Sequence, residues 1–333
     1  MSIKQDETPL QLVSPLQGDA AARASLAATN DATTEPATAP EWLLQPFQPI
    51  SLTQLNAKAD MLRRQDNKYV LSATTLKQAV AELAPHFNIL EIEGRRDFTY
   101  ETCYFDDASR TSYFDHHRGR RKRCKVRMRK YVDTGLCYVE VKLKAKRGIT
   151  VKKRLPCAPE QYGTLNAPAH AFINSVYKER YKRDFDQALE PVIDMRYQRV
   201  TLVAKQGGER MTIDFALQFT GLAAERTVDE QIFVLETKSA NGNGIADKIL
   251  RMLHQHPTRR CSKYCVGMAA LQQVPKYNKF LVALRKLDIV PAFDSDRQVA
   301  MSSNRTATAR AAAPVLEPVT GGNYRRQLAC EAC

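Results

Sequence analysis

Between Arg118 and Arg154 the chain sets 16 lysines and arginines against two acids, Asp133 and Glu140, and many of them fall at alternate positions. Successive side chains of a strand point to opposite faces. Over 123–129, Arg123, Lys125, Arg127 and Arg129 therefore share one face and Cys124, Val126 and Met128 the other. Over 138–144, Tyr138, Glu140, Lys142 and Lys144 alternate with Val139, Val141 and Leu143. Lys152 and Arg154 follow on 150–155, Arg210, Thr212 and Asp214 on 210–215, and Val234, Glu236 and Lys238 on 234–238. Five segments thus read as strands with an ionic face backed by an apolar one. Such alternation usually marks a sheet with one face in water. Here the ionic faces are dominated by cations. Two like charges about 5 Å apart repel by about 3 kcal/mol at an effective dielectric near 20, and like charges directly opposite on neighbouring strands destabilise the pair. An anion would offset that repulsion. The excess over 118–154 is +14, equal to that of the whole chain, so the basicity is local and lies on strands.

The arginines point to phosphate, because a guanidinium binds two phosphate oxygens at once whereas lysine acts as a point charge. Glu140, Asp214 and Glu236 share these faces. Such acids either pair with neighbouring cations or hold a hard divalent ion, Mg²⁺ or Mn²⁺, together with phosphate oxygens. No G-x-x-x-x-G-K-[ST] and no G-x-G-x-x-G after a strand occurs, which removes P-loop and dinucleotide-binding readings. His116 and His117, adjacent on what reads as a strand, point apart and read as a polar pair rather than metal ligands. No local signature assembles a Cys–His nucleophile.

Residues 1–42 and 291–333 are poor in bulky apolar residues and read as disordered tails around one folded domain, 43–290. Within it, 69–71, 98–105, 149–155, 197–205 and 232–239 read as further or extended strands, and about 54–62, 74–84, 168–179, 245–253 and 276–286 as helices. Asp133-Thr134-Gly135 and Lys205-Gln206-Gly207-Gly208 read as hairpin turns. The fold class expected is α+β: an antiparallel sheet of about eight strands closed into a barrel, with flanking helices. No apolar run of about 18 residues and no secretory leader is visible, so a cytoplasmic protein with reduced thiols is expected. Cys330 and Cys333 form a C-x-x-C without a partner pair at zinc spacing, and read as an ordinary tail.

The order of motifs is specific as a set. Arg64-x-Asp66-x-Lys68-Tyr69 is followed by Tyr100-x-Thr102-x-Tyr104-Phe105-Asp106, Tyr113-x-x-His116, Lys125-Val-Arg127-Met-Arg129-x-Tyr131 and Val139-Glu140-Val-Lys142. Then come Val151-Lys152-Lys153-Arg154, Tyr197-x-Arg199, Arg210-x-x-x-Asp214, Leu235-Glu236-x-Lys238 and Ser262-Lys263-Tyr264. Across nearly all of 60–270 this resembles the catalytic domain of the vacuolar transporter chaperone (VTC) family, in its bacterial stand-alone form, within the triphosphate tunnel metalloenzymes. The resemblance implies a basic tunnel through the barrel and an ATP-dependent polyphosphate polymerase, which moves the γ-phosphate of ATP onto a growing chain with help from manganese or magnesium. It implies catalytic roles at the phosphates for Lys68, Arg127, Arg129, Lys142, Lys152, Arg199, Arg210 and Lys263. It further implies substrate contacts from Arg154, Lys238, Arg260 and His116, and metal ligation by Glu236 and Glu140. Arg260 stands where the family often has lysine, and His116 where eukaryotic members tend to have arginine.

Triphosphatase and cyclase branches of that superfamily begin with an E-x-E-x-K strand, whereas this chain has Arg64-Gln-Asp66-Asn-Lys68, with one acid. That departure favours the polymerase over a triphosphate or nucleoside triphosphate hydrolase. A non-catalytic polyphosphate- or RNA-binding module is the other alternative. The basic faces carry few aromatics for base stacking, Tyr131 and Tyr138 being the nearest, so no nucleic acid partner is expected. The partners implied are ATP and inorganic polyphosphate, with room for a separately encoded membrane partner that would bring the protein to the inner face of a membrane. The sequence leaves the oligomeric state open.

Overall fold

The structure is a computed structural model and describes residues 37–58, 65–144 and 150–291. Arg64, most of both expected tails, and Cys330 with Cys333 lie outside the described residues. The strands are β1 (Gln48–Ile50), β2 (Gln65–Ser72), β3 (Phe87–Leu90), β4 (Asp97–Asp106), β5 (Arg123–Tyr131), β6 (Leu136–Lys144), β7 (Thr150–Cys157), β8 (Glu190–Ala204), β9 (Arg210–Thr220), β10 (Glu225–Thr227) and β11 (Ile232–Ser239). The helices are α1 (Glu41–Leu44), α2 (Leu52–Lys58), α3 (Ala73–Leu83), α4 (Thr111–Arg118), α5 (Ala167–Tyr181), α6 (Ile245–Met252), α7 (Lys263–Ala270) and α8 (Leu281–Lys286).

All strands join one sheet whose main path runs β2-β11-β9-β8-β4-β5-β6-β7, and every ladder on that path is antiparallel. The α+β class and the eight-strand path match the sequence reading. Closure does not: among the described residues no ladder joins β7 to β2, and the sheet is open rather than a barrel. Two features keep these edges apart. The outer edge of β2 is occupied by a loop, with Thr258 N–H donating to the Lys68 carbonyl at 2.6 Å. β7 presents exposed Lys152, Lys153, Arg154 and Pro156, the charges and proline that protect an edge strand from pairing. His116 and His117 are also corrected: they lie on α4, not on a strand.

The apolar faces are covered as alternation requires. α3 and α6 pack Leu76, Leu83, Ile249 and Leu250 against Leu71, Leu202, Ile213 and Leu235. α5 packs Ile173, Val176 and Tyr177 against Val126, Val139 and Val141. Ser72 and Asn166 cap α3 and α5 through their side-chain oxygens. A third core, with α7 and α8, lies on the ionic side of the sheet, where Tyr264, Met268 and Leu284 meet Phe98, Tyr104 and Phe219. Gly267 permits that approach: a Cβ there would stand 2.5 Å from both Ile193 Cδ1 and Phe219 Cδ1. Among the described residues, no helix is long and apolar enough to cross a membrane.

Candidate functional site

The register of β5, β6 and β7 lines up like charges. Lys125 lies opposite Lys142, and Lys142 opposite Lys152. One step along, Arg127 lies opposite Glu140, and Glu140 opposite Arg154. The sheet then curls enough to bring its far end across this array. Lys142 on β6 feels the charges of Glu236 on β11 and of Lys68 and Asp66 on β2, although those strands lie at the opposite end of the main path. The ionic residues of both ends therefore share one concave face.

Three carboxylates organise the cations, each lying between two of them. Buried Glu140 receives the Arg127 guanidinium at 2.6 and 2.7 Å and pairs with Lys152. Asp214 is held by both arms of Arg199, at 2.5 and 2.8 Å, and pairs with Lys263. Glu236 pairs with Lys68 and stands 3.6 Å from Lys238. Burial opposes ionisation of all three acids, but the surrounding cations outweigh it and hold each carboxyl well below the usual range. Each group of three keeps a net charge of +1.

The surplus charge is felt by paired and unpaired cations alike. Lys142 is exposed, yet its ammonium is pushed down to about 8, by burial first and then by Lys68 and Arg127. That combination fits a water-filled concavity walled by protein and crowded with like charge. Burial likewise pushes Lys152 and Lys238 down to about 8. Buried Arg129 lies over the Tyr100 ring, 5.5 Å from its centroid, and donates to Thr102 at 3.4 Å. Arg154 covers the Tyr138 ring at 4.7 Å. Arg210 lies opposite Lys238 and donates to the Leu55 carbonyl at 3.4 Å. Arg260 donates to the His117 carbonyl at 3.4 Å.

His116 sits at the Arg123 end of the array. Burial, then Lys125, Arg123, Arg260 and Lys142, push its imidazole down to about 2, so it is neutral at physiological pH. Its Nδ1 lies 2.9 Å from Lys125 Nζ and 3.1 Å from Cys265 Sγ. The Lys125 ammonium also meets Ser262 Oγ at 2.9 Å and Cys265 Sγ at 3.3 Å, so its three donors are matched by three partners. Lys125 thus pins α4 and α7 to β5 rather than pointing freely into the concavity. His117 faces away and meets Asn278 at 2.9 Å.

The structure brings together the predicted Lys68, Arg127, Arg129, Lys142, Lys152, Arg199, Lys238, Lys263, Glu140 and Glu236. Arg154 flanks them on the β7 edge, and Arg260 and His116 group at the Arg123 end. Two contributors were not singled out from sequence. Tyr104 accepts a hydrogen bond from Arg127 at 3.0 Å, and Arg127, Arg129 and Lys125 outweigh burial to lower its phenol pKa. Among the described residues the buried Tyr197 hydroxyl finds no hydrogen-bond partner, and its ring faces Arg199 and Lys263 at 5.3 and 5.1 Å. Both lie on aromatic-rich strands, where the signal of a core masks that of a site.

Among solved structures the chain is similar to an adenylate cyclase-like protein from Bacillus halodurans, at 12% identity over 60% of this chain and 94% of that one, TM-score 0.35. It is also similar to a Hippeastrum adenylyl cyclase-like protein described as having dominant triphosphatase activity, at 12% identity over 61% and 93%, TM-score 0.37. A Pyrococcus horikoshii OT3 protein aligns at 12% identity over 63% and 98%, TM-score 0.37. The comparison with curated proteins gave no match. The family model of the VTC domain matches residues 63–272, well over half of the chain and the whole of the ionic array, and the chain belongs to that family.

Proposed function

We propose that the protein is an ATP-dependent polyphosphate polymerase, which transfers the γ-phosphate of ATP to a growing polyphosphate chain on the concave face. The observation that carries this reading is the row in which exposed Lys142 stands directly between Lys125 and Lys152 on the neighbouring strands, beside carboxylates that are already paired. Such a row costs stability in the empty protein and is relieved by a polyanion. Phosphoryl transfer depends chiefly on positioning and on neutralising charge over the transferred group, and needs no protein nucleophile. Preformed groups such as Arg127-Glu140-Lys152 and Arg199-Asp214-Lys263 supply fixed cations without reorganisation at the moment of reaction. In this reading Lys68, Arg129, Arg210 and Lys238 hold further phosphates, Arg154 borders the substrate on the β7 edge, and the neutral His116 and Arg260 flank the chain at the Arg123 end.

The family implies a divalent ion, Mn²⁺ or Mg²⁺. Among the described residues no three His, Cys, Asp or Glu side chains cluster as a metal cage. The donor set suits an ion that takes one protein carboxylate and completes its shell with phosphate oxygens. Glu236 fits that role, being ionised and, among the described residues, paired with Lys68 and Lys238; Glu140 is enclosed between Arg127 and Lys152 and serves as their anchor. When bound, the ion offsets charge on the transferring phosphate.

The test is product analysis. Purified protein with ATP and Mn²⁺ should yield polyphosphate ladders on a gel, and Glu236→Gln should remove most of that product. Orthophosphate without chain growth would replace the polymerase by a hydrolase, and undiminished turnover in the variant would refute the metal role.

A further inference from the structure

The two ends of the concave face differ in chemistry. At the Arg123 end the groups are Lys144, Arg260, Lys125 and the neutral His116. At the other end four tyrosines cross four adjacent strands in contact. Tyr138 on β6 meets Tyr131 on β5 edge-on at 6.0 Å, Tyr131 meets Tyr100 on β4 at 4.9 Å, and Tyr100 stacks on Tyr197 of β8 at 5.4 Å. Tyr100 and Tyr197 are buried and belong to the core, whereas Tyr131 and Tyr138 are only half-buried. Arg154, exposed on the neighbouring β7, lies over the Tyr138 ring at 4.7 Å.

Two accessible rings and a guanidinium plane at the border of a phosphate-binding face are the components that hold a flat aromatic ligand. The spacing suits a nucleotide. Tyr131 lies four residues from Arg127 on one strand, and Tyr138 four residues from Lys142 on the next. At strand rise that is about 14 Å, comparable with the reach from a nucleotide's terminal phosphate to its base. Nothing in binding a bare polyphosphate calls for these rings.

We propose that Tyr131, Tyr138 and Arg154 form a nucleobase subsite, which makes the concave face prefer a nucleoside triphosphate over inorganic tripolyphosphate and sets the direction in which the nucleotide lies. The base rests at the tyrosine end, and the phosphates extend toward Lys142 and the cationic end. The proposal rests on the triphosphate-binding reading and adds the base to it. Stacking is sequence-tolerant, so the subsite accepts purine nucleotides in general rather than adenine alone.

The experiment is calorimetric titration of the full chain with ATP and, separately, with inorganic tripolyphosphate. Tyr138→Ala and the double change Tyr131→Ala with Tyr138→Ala should lower the ratio of ATP to tripolyphosphate affinity about tenfold or more, the usual weight of one stacked base. Tyr138→Phe, which keeps the ring, should leave the ratio near that of the unaltered protein. Tripolyphosphate binding also reports that each variant is folded. An unchanged ratio in the alanine variants, with tripolyphosphate still bound, overturns the base subsite alone. Failure of the unaltered chain to bind either ligand overturns the triphosphate reading and the subsite with it.

Discussion

Lys142, Lys152 and Lys238 each carry an ammonium pushed down to about 8, with burial the largest cause in all three. At pH 7 these groups are mostly charged, and at pH 9 mostly neutral. An anion lodged among them favours the charged form and returns their pKa toward the ordinary lysine range. Affinity for inorganic tripolyphosphate should therefore fall as pH rises from 7 to 9, and binding at pH 8 should take up protons. Calorimetry in buffers of different ionisation enthalpy reads that uptake; proton release, or a flat affinity profile, would contradict it. Arg127 poses a separate test. It lies against Glu140 and Tyr104, so Arg127→Ala removes a fixed cation and leaves Glu140 with one partner fewer. Turnover should fall on the order of 10³-fold, measured as polyphosphate formed per enzyme; a loss of only a few-fold would place Arg127 outside the reacting centre.

At the scale of elements, the strands that build the site were legible because alternation of charge and apolar residues has only one meaning on an extended chain. Arg127, Lys142, Lys152 and Glu236 do share a face. α4 escaped because His116-His117-Arg118 carries no apolar stripe. α7 escaped because Tyr264 through Ala270 are buried on every side, which erases the helical period. The open edge escaped because it is set by a contact distant in sequence, Thr258 on Lys68. α7 offers a prediction that links packing to the site. Gly267 lets the helix approach Ile193 and Phe219, and the same helix begins at Lys263, the partner of Asp214. Gly267→Val should displace α7, lower the thermal midpoint by several degrees, and weaken tripolyphosphate binding at least several-fold. Calorimetric melting and titration check both; lowered stability with unaltered binding would show that the position of α7 does not set that of Lys263.

For the molecule as a whole, the main correction concerns enclosure. The expected barrel is an open, curled sheet: Lys142 on β6 feels the charges of β2 and β11 across its concave side, while Lys142, Lys152 and Arg154 remain exposed. Of the 16 cations between Arg118 and Arg154, Arg123, Lys125, Arg127, Arg129, Lys142, Lys144, Lys152 and Arg154 alternate onto the ionic faces of β5, β6 and β7. The most direct test is a crystal structure of the full chain with inorganic tripolyphosphate. Phosphate density should lie on the concave face, in contact with Arg127, Arg199 and Lys142. Anion density on the opposite face, under α3, α5 and α6, or none on the concave face at saturating ligand, would contradict the reading.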